Sequence, residues 1–320
     1  MFRAKRLLKT FVRLLLPIVV LVVAATVTAS VWLVHKTSRP HSTSYLVTPE
    51  KYGMLSSRGA QVTDEKWTNR DGTPARGWLL RGSENAPAVI LLHKYGADRS
   101  YELNLGVKIN EATNFTVLMP DLRGHGPQPL VEVSSFGGRE SDDIVSAIEF
   151  LRSLKTQEGL SLVGHRIGIY GVELGALAAL KAAAEDKSVA AVALDSAPLD
   201  SNALLAASVA RRFPFASAVT SRLAGFGTSF YYVDGSYSST SACDAGKAIA
   251  DRKVMLLAGI DAPDFQASTQ KLSKCIQGEQ PVESKFDLSP SGYSIMSASL
   301  EQAGAYDQRV VDFFRSSLSY

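Results

Sequence analysis

The sequence predicts an α/β fold in which a mostly parallel β-sheet is covered by helices on both faces. Short apolar runs typical of buried strands alternate along the chain with longer segments of helical periodicity. One run, residues 167–170, leads into Gly171-Val-Glu173-Leu-Gly175 and then into an alanine-rich helix. The two glycines allow a turn so tight that a Cβ atom at either position would clash. The chain has 320 residues and is 46% hydrophobic, which suits one such domain after its N-terminal segment.

The N-terminus predicts a membrane-directed segment ahead of this domain. Residues 1–13 carry five basic and no acidic side chains, and residues 14–34 carry no charge. A helix of 14–34 would span roughly 30 Å, the thickness of a bilayer core. The basic flank favours a transmembrane anchor with a cytoplasmic N-terminus and an extracytoplasmic domain. Cleavage as a signal peptide near Thr28-Ala-Ser30, followed by secretion, is the alternative. Residues 35–60 read as a polar linker, and residues 61–320 as the folded domain.

Charge and cysteine content narrow the function classes. The net charge is +3, and much of it lies in the first thirteen residues, so we expect no nucleic-acid partner. Cys243 and Cys275 show no metal-ligand spacing, so we expect neither a zinc site nor another metal, and no cofactor is indicated. The two cysteines could form one disulfide in an extracytoplasmic domain or remain two buried thiols.

The first half of the domain predicts four strands and two helices. The first two strands flank an Asp71-Gly72 turn and form a hairpin. The first helix is only partly in helical phase, whereas the second is amphipathic. The predicted strands are 61–69, 75–81, 88–92 and 115–119, and the predicted helices are 101–111 and 140–154.

The second half resumes the alternation after one interruption. Residues 199–253 contain a helical stretch over 203–212 and then glycines, tyrosines and serines, which fits either a lid or an exposed connection. Around it we predict strands over 189–194, 254–258 and 282–288, with helices over 267–276 and 306–318. Four ionisable residues lie just after predicted strands: His93, Asp121, Glu173 and Asp195. Because ligands bind at the carboxyl ends of parallel strands, we expect these four to lie near one edge.

Several segments, in this order and at these spacings, resemble the α/β-hydrolase superfamily. The resemblance is to membrane-anchored bacterial members of the serine-aminopeptidase-like group, and it covers residues 61–319. It implies an α/β-hydrolase fold with a nucleophile elbow at residues 171–175. The segments are His93-Lys-Tyr-Gly96, Asp121-Leu-Arg-Gly-His-Gly126, Gly137-Gly-Arg-Glu140-Ser-Asp-Asp143, Gly171 to Gly175, and Tyr306 to Phe314.

The resemblance assigns Glu173 to the position where such hydrolases carry the nucleophilic serine. It implies that the oxyanion hole consists of the N–H groups of Tyr95 and Leu174. These are backbone donors, which survive a side-chain replacement. His93, at the start of the same loop as Tyr95, would border the pocket.

The rest of the catalytic triad is also altered. The acid position after the 254–258 strand falls on Asp261 or Asp264, and both remain open. The base position falls on Tyr293, because the chain has no histidine beyond His165. A phenol with a pKa near ~10 is a poor general base at neutral pH. Two of the three triad members are therefore missing.

These departures predict a catalytically degenerate hydrolase homologue, a pseudoenzyme that binds a small molecule or a protein partner. Glu173 would lie at a helix N-terminus, where its charge is favourable, and its carboxylate would fill the oxyanion hole. The alternative is an active ester or amide hydrolase with an atypical site. Glu173 acting as the nucleophile is a variant of this alternative, and a purely structural envelope protein is a third hypothesis.

Overall fold

The computed structural model describes residues 2–40, 44–53, 61–276, 278 and 281–319. These residues form two compact units. The first combines helix α1, Phe2–Thr37, with the segment Leu205–Gly235. The second contains the rest of the described chain from Ser38 onward. Of the predicted linker 35–60, residues 41–43 and 54–60 lie outside the described residues.

The second unit is built on one eight-stranded sheet with the order β1-β2-β4-β3-β5-β6-β7-β8. Strand β2 is antiparallel to both β1 and β4, and the remaining neighbours run parallel. The predicted fold class, a mostly parallel sheet, is confirmed. The strands are β1 Val62–Thr68, β2 Pro74–Leu80, β3 Ala86–Leu92, β4 Thr116–Pro120, β5 Val163–Val172, β6 Val189–Asp195, β7 Lys253–Gly259 and β8 Glu283–Leu288.

Helices connect the strands and cover the sheet. A 3₁₀ turn, Arg99–Glu102, precedes α3, and another, Gly292–Ser297, follows β8. After α1, the helices are α2 Pro49–Gly53, α3 Leu103–Thr113, α4 Arg139–Ser153, α5 Leu174–Glu185, α6 Ser201–Arg212, α7 Ser217–Tyr231, α8 Ala242–Ala248, α9 Pro263–Cys275 and α10 Leu300–Leu318.

Several elements are longer than their sequence patterns predict, and β5 and α10 show why. Strand β5 begins at Val163 rather than at residue 167, and a register shift separates this extension from the regular pairing with β3. Helix α10 begins at Leu300 rather than at residue 306, because Ser299 and Gln302 form a reciprocal capping box. Both extensions depend on local features that apolar periodicity does not reveal.

The interruption at 199–253 contains three helices where one was expected. Helix α7 was not predicted because Gly225 and Gly227 lie in it, and each glycine disfavours a helix by about 1 kcal/mol. Packing explains Gly227: a Cβ atom there would lie 2.4 Å from the carbonyl oxygen of Ser30 in α1. The glycine therefore brings two backbones into close contact. Tertiary packing overrides the local propensity at this position.

Cys243 and Cys275 form a disulfide between α8 and the end of α9, with their Cα atoms 5.2 Å apart. This decides between the two states that the sequence left open. The bridge joins positions 32 residues apart. By chain-entropy reasoning, a closed loop of this length stabilises the folded state by about 4 kcal/mol.

Helix α10 packs tightly on the middle of the sheet. A Cβ atom at Gly168 in β5 would lie 2.7 Å from the ring of Phe314 and 3.0 Å from Leu318. Both side chains are fully buried. A glycine in the strand therefore gives α10 the space to approach β5, and the apolar side chains of its inner face complete the core on that side of the sheet.

This packing predicts different effects for the two leucines of α10. Leu318→Ala removes a fully buried side chain and should lower the free energy of unfolding by about 2 kcal/mol. Leu300→Ala is the matched control, because Leu300 is 95% exposed on the same helix. It should change stability by less than about 0.5 kcal/mol. Denaturant unfolding of both variants measures this, and equal effects would contradict the packing described.

Candidate active site

The turn between β5 and α5, which the sequence predicts to be a nucleophile elbow, is tight and strained. Glu173 adopts φ +50° and ψ −104°, a backbone conformation that residues other than glycine rarely adopt. Such a conformation costs about 1–3 kcal/mol. Cβ atoms at the flanking glycines would clash. One at Gly171 would lie 2.4 Å from the backbone of Gly175, and one at Gly175 would lie 2.3 Å from the carbonyl oxygen of Leu92. The strained residue is therefore held between two positions that admit only glycine.

The side chain of Glu173 is completely buried at this turn. Its Oε2 accepts a hydrogen bond of 2.9 Å from the backbone N–H of Tyr95, in the loop after β3. Leu174, also buried, begins α5, so the carboxylate is close to the positive end of that helix. One of the two N–H groups expected to form an oxyanion hole thus donates to Glu173.

The loop after β8, which carries Tyr293, is tied to the loop after β3. Lys94 Nζ donates to the carbonyl oxygen of Tyr293 at 2.5 Å and lies 4.3 Å from the centre of its ring. The hydroxyl of Tyr101 donates to the carbonyls of Gly292, at 2.6 Å, and Tyr293, at 3.0 Å. These contacts fix Tyr293 through its backbone and through the face of its ring.

The two candidates for the acid position have different surroundings. Asp261, directly after β7, accepts hydrogen bonds from Ser291 through the hydroxyl at 3.0 Å and the backbone N–H at 3.3 Å. The Ser291 hydroxyl in turn accepts from the N–H of Tyr293 at 3.3 Å. Asp264 is exposed in the first turn of α9. Asp261 is therefore the candidate that contacts the loop containing Tyr293, and its role there is to hold the turn.

A second carboxylate, Asp195 at the end of β6, holds the same loop from inside the domain. It accepts hydrogen bonds from the N–H of Gly292 at 2.9 Å, from the hydroxyl of Tyr306 at 2.7 Å and from Ser196 at 2.7 Å. Tyr306 also bonds to the hydroxyl of Tyr170 at 2.8 Å. Burial raises the pKa of Asp195. The sequence placed Asp195 near the site but did not indicate these partners, which are distant in the chain.

The two histidines near the elbow are structural. His93 Nδ1 donates to the carbonyl of Lys94 at 2.9 Å, and its Nε2 accepts from the N–H of Leu122 at 3.1 Å, so the ring is neutral. His125 Nδ1 donates to the carbonyl of Arg123 at 2.9 Å. Burial lowers the pKa of His93 to about 4 and that of His125 to about 3. Neither ring is suited to accept a proton from a nucleophile.

The four residues that follow strands occupy one edge of the sheet, as expected. His93 contacts the segment after Asp121 through Leu122, and the N–H of Glu173 donates to the carbonyl of Asp195 at 3.0 Å. Asp121 itself forms an ion pair with Arg76 at 2.8 Å, which gives it a structural role. Among the described residues, no group of three or more His, Cys, Asp or Glu side chains is placed to bind a metal ion.

Comparison with known proteins supports the fold. The sequence model of the "Alpha/beta hydrolase family" matches residues 72–273. A thiohydrolase of Aspergillus aculeatus is 30% identical over 122 residues, which are 37% of this chain and 36% of that relative. The chain thus matches only about a third of the curated relative's length.

Solved structures show the same fold at low sequence identity. An esterase of Pyrococcus furiosus aligns with a TM-score of 0.58 at 18% identity, covering 87% of this chain and 98% of the esterase. A dienelactone hydrolase of Anabaena variabilis aligns with a TM-score of 0.55 at 15% identity, covering 81% and 99%. An acylaminoacyl peptidase of Pyrococcus horikoshii aligns with a TM-score of 0.56 at 15% identity, covering 81% of this chain and 42% of the peptidase. The predicted α/β-hydrolase fold is confirmed.

The buried, neutral His125 predicts a loss of stability in acid. The unfolded chain takes up a proton near pH 6.5, whereas the folded chain does so only near pH 3, so stability falls as the pH drops below about 6.5. Between pH 7 and pH 5, protonation linked to His125 should lower the free energy of unfolding by about 2 kcal/mol. His125→Phe keeps a ring in place and should lose that part of the pH dependence.

Denaturant unfolding of the wild type and of His125→Phe at both pH values measures this difference. His165→Gln is the control, because the side chain of His165 is exposed at the start of β5. An equal loss of stability in the wild type and in His125→Phe between pH 7 and pH 5 would contradict the assignment of His125 as buried and neutral.

Proposed function

The chain belongs to the alpha/beta hydrolase family, and from that premise we propose that it is a membrane-anchored member that has lost serine-dependent hydrolysis. Its remaining role is to bind a small molecule or a protein partner. The observation that supports this is the hydrogen bond from the Tyr95 N–H to the carboxylate of Glu173, 2.9 Å long. In an active relative, that donor would face the oxyanion of the transition state.

The carboxylate opposes acyl transfer in two ways. It places a negative charge where the oxyanion would develop, and it engages a donor whose loss costs active hydrolases about 10²–10³ in kcat. Glu173 is also 0% exposed, so a substrate carbonyl cannot reach the elbow without displacing the side chain. The occupied hole therefore adds a second obstacle to catalysis beside the missing serine.

The base position supports the same conclusion. Tyr293 supplies a phenol, and its backbone is held by Lys94 and Tyr101. His165 cannot replace the base, because eight residues of extended chain separate it from the elbow, roughly 26 Å. In the described part of the α/β unit, the other histidines are His93 and His125, and both are buried and neutral.

We further propose that α1 remains attached as the membrane anchor. Residues Arg13–Thr37 are long and apolar enough to cross a membrane. Ser30 and Val34 are fully buried, and the backbone of Ser30 packs against Gly227 in α7, so cleavage near residue 30 would remove a packing partner. The basic flank and the Cys243–Cys275 disulfide favour an extracytoplasmic location for the domain.

Loss of hydrolysis predicts that a fluorophosphonate probe will not label the wild-type chain. These probes require an activated serine, and the elbow offers Glu173 instead. Gel fluorescence after incubation with the probe measures labelling, with an active esterase of the family as the positive control. Labelling of the wild type that a single Ser→Ala change abolishes would establish the alternative, an active ester or amide hydrolase with an atypical site.

The filled oxyanion hole predicts that a small carboxylate can replace the Glu173 side chain. In Glu173→Ala the Tyr95 N–H loses its acceptor, and acetate in excess should then stabilise the variant by about 1 kcal/mol. For a domain of this size, that is a rise of about 2–4 °C in Tm.

Thermal unfolding in acetate, against chloride at equal ionic strength, measures this effect. The wild type should not respond to acetate, because its hole is occupied. Glu185→Ala is the matched control, since Glu185 lies at the opposite end of α5. An equal response of Glu173→Ala and Glu185→Ala to acetate would contradict the proposed role of the carboxylate.

A further inference from the structure

We propose that helix α7 inserts its outer face into the lipid at the membrane boundary beside α1; this rests on the proposed role of α1 as an anchor. The outer face of α7 carries Val219, Phe226 and Phe230, and with Phe215 and Val233, which flank the helix at its two ends, it forms a stripe of apolar side chains. We call it the apolar stripe: Phe215, Val219, Phe226, Phe230 and Val233.

The side chains of the apolar stripe are exposed although they are large and apolar. Their exposed fractions are 90% for Phe215, 59% for Val219, 50% for Phe226, 47% for Phe230 and 83% for Val233. Val219, Phe226 and Phe230 lie within α7 at spacings of seven and four residues, which place them on one side of the helix. In a helix on the surface of a water-soluble protein, such a stripe faces the protein core. This stripe therefore requires an apolar environment outside the protein.

The inner face of α7 has the opposite composition. Ala224, Gly227 and Thr228 are buried, and Gly227 approaches the backbone of Ser30 in α1. Small residues at the contact and large apolar residues outside are the arrangement that helices adopt in lipid, where close backbone packing holds them together. The contact with α1 therefore extends the apolar surface of the anchor onto α7.

The contacts also indicate a depth. Ser30 lies four residues before the end of the charge-free run at Val34, about 6 Å along the helix axis. Amphipathic helices at the membrane boundary bury their apolar face by about 5–10 Å. Nearer the C-terminal ends of both helices, the ring centres of Tyr231 and His35 lie 5.9 Å apart. The two helices therefore stay in contact where α1 emerges from the apolar region.

The charges of the segment fit an anionic lipid surface. Residues 205–235 contain three arginines, at 211, 212 and 222, and one acidic residue, Asp234, which follows the end of α7. Arg222 is exposed between Val219 and Phe226, on the side of the apolar stripe. Its long stem can hold the guanidinium among the lipid headgroups. This places α7 at the boundary between headgroups and acyl chains, rather than across the membrane.

Depth-dependent quenching in the full-length protein tests this proposal. The chain's two cysteines form a disulfide, so an introduced cysteine is the only free thiol. We would attach an environment-sensitive fluorophore at Phe226→Cys, at Val20→Cys in α1, and at Leu160→Cys as the control. Leu160 is 49% exposed in the loop before β5. The protein is reconstituted in vesicles of phosphatidylcholine and phosphatidylglycerol, with and without brominated acyl chains.

We expect brominated lipid to quench the labels at positions 226 and 20 and to leave the label at 160 unchanged. Quenching at 20 without quenching at 226 overturns the proposal for α7 and leaves the anchor intact. The absence of quenching at both positions overturns the proposal that α1 is a membrane anchor, and with it the proposal for α7. A blue-shifted label at 226 that lipid does not quench also overturns it, because a protein surface would then cover the stripe.

Discussion

The candidate site depends on one hydrogen bond, from the backbone N–H of Tyr95 to the buried carboxylate of Glu173. It joins the loop after β3 to the turn after β5, the two elements that an active hydrolase uses to bind an oxyanion. A buried carboxylate is costly unless it has donors, and the positive end of α5 lowers that cost further. The hydrogen bond thus holds the Glu173 side chain between the loop after β3 and the N-terminus of α5.

The loop after β8 is the second part of this arrangement. Asp195 holds it from inside through Gly292, Asp261 holds it through Ser291, and Lys94 caps the backbone of Tyr293. These contacts tie the loop to the end of β6, to the segment after β7 and to the loop after β3. The loop that carries Tyr293 is therefore restrained from three sides.

Much of the fold followed from the sequence, because buried parallel strands are short apolar runs and the elbow requires two glycines at fixed spacing. The positions of Glu173 and Tyr95 could be anticipated for the same reason. The choice between Asp261 and Asp264 could not, since it depends on which one the Ser291 turn reaches. The partnership of Asp195 with Tyr306 joins residues 111 apart in the chain, which no local pattern reveals. Helix α7 was missed because it contains two glycines, one of which, Gly227, is required for the packing against α1.

The close approach of Gly227 to Ser30 also has a practical consequence for work on this protein. A common route to a soluble sample is to delete an N-terminal apolar helix. A chain that began after Thr37 would expose the small-residue face of α7 while its aromatic face remained uncovered. Such a truncated protein would lack the helix against which Gly227 packs. The full chain, with α1 included, is therefore the appropriate starting material.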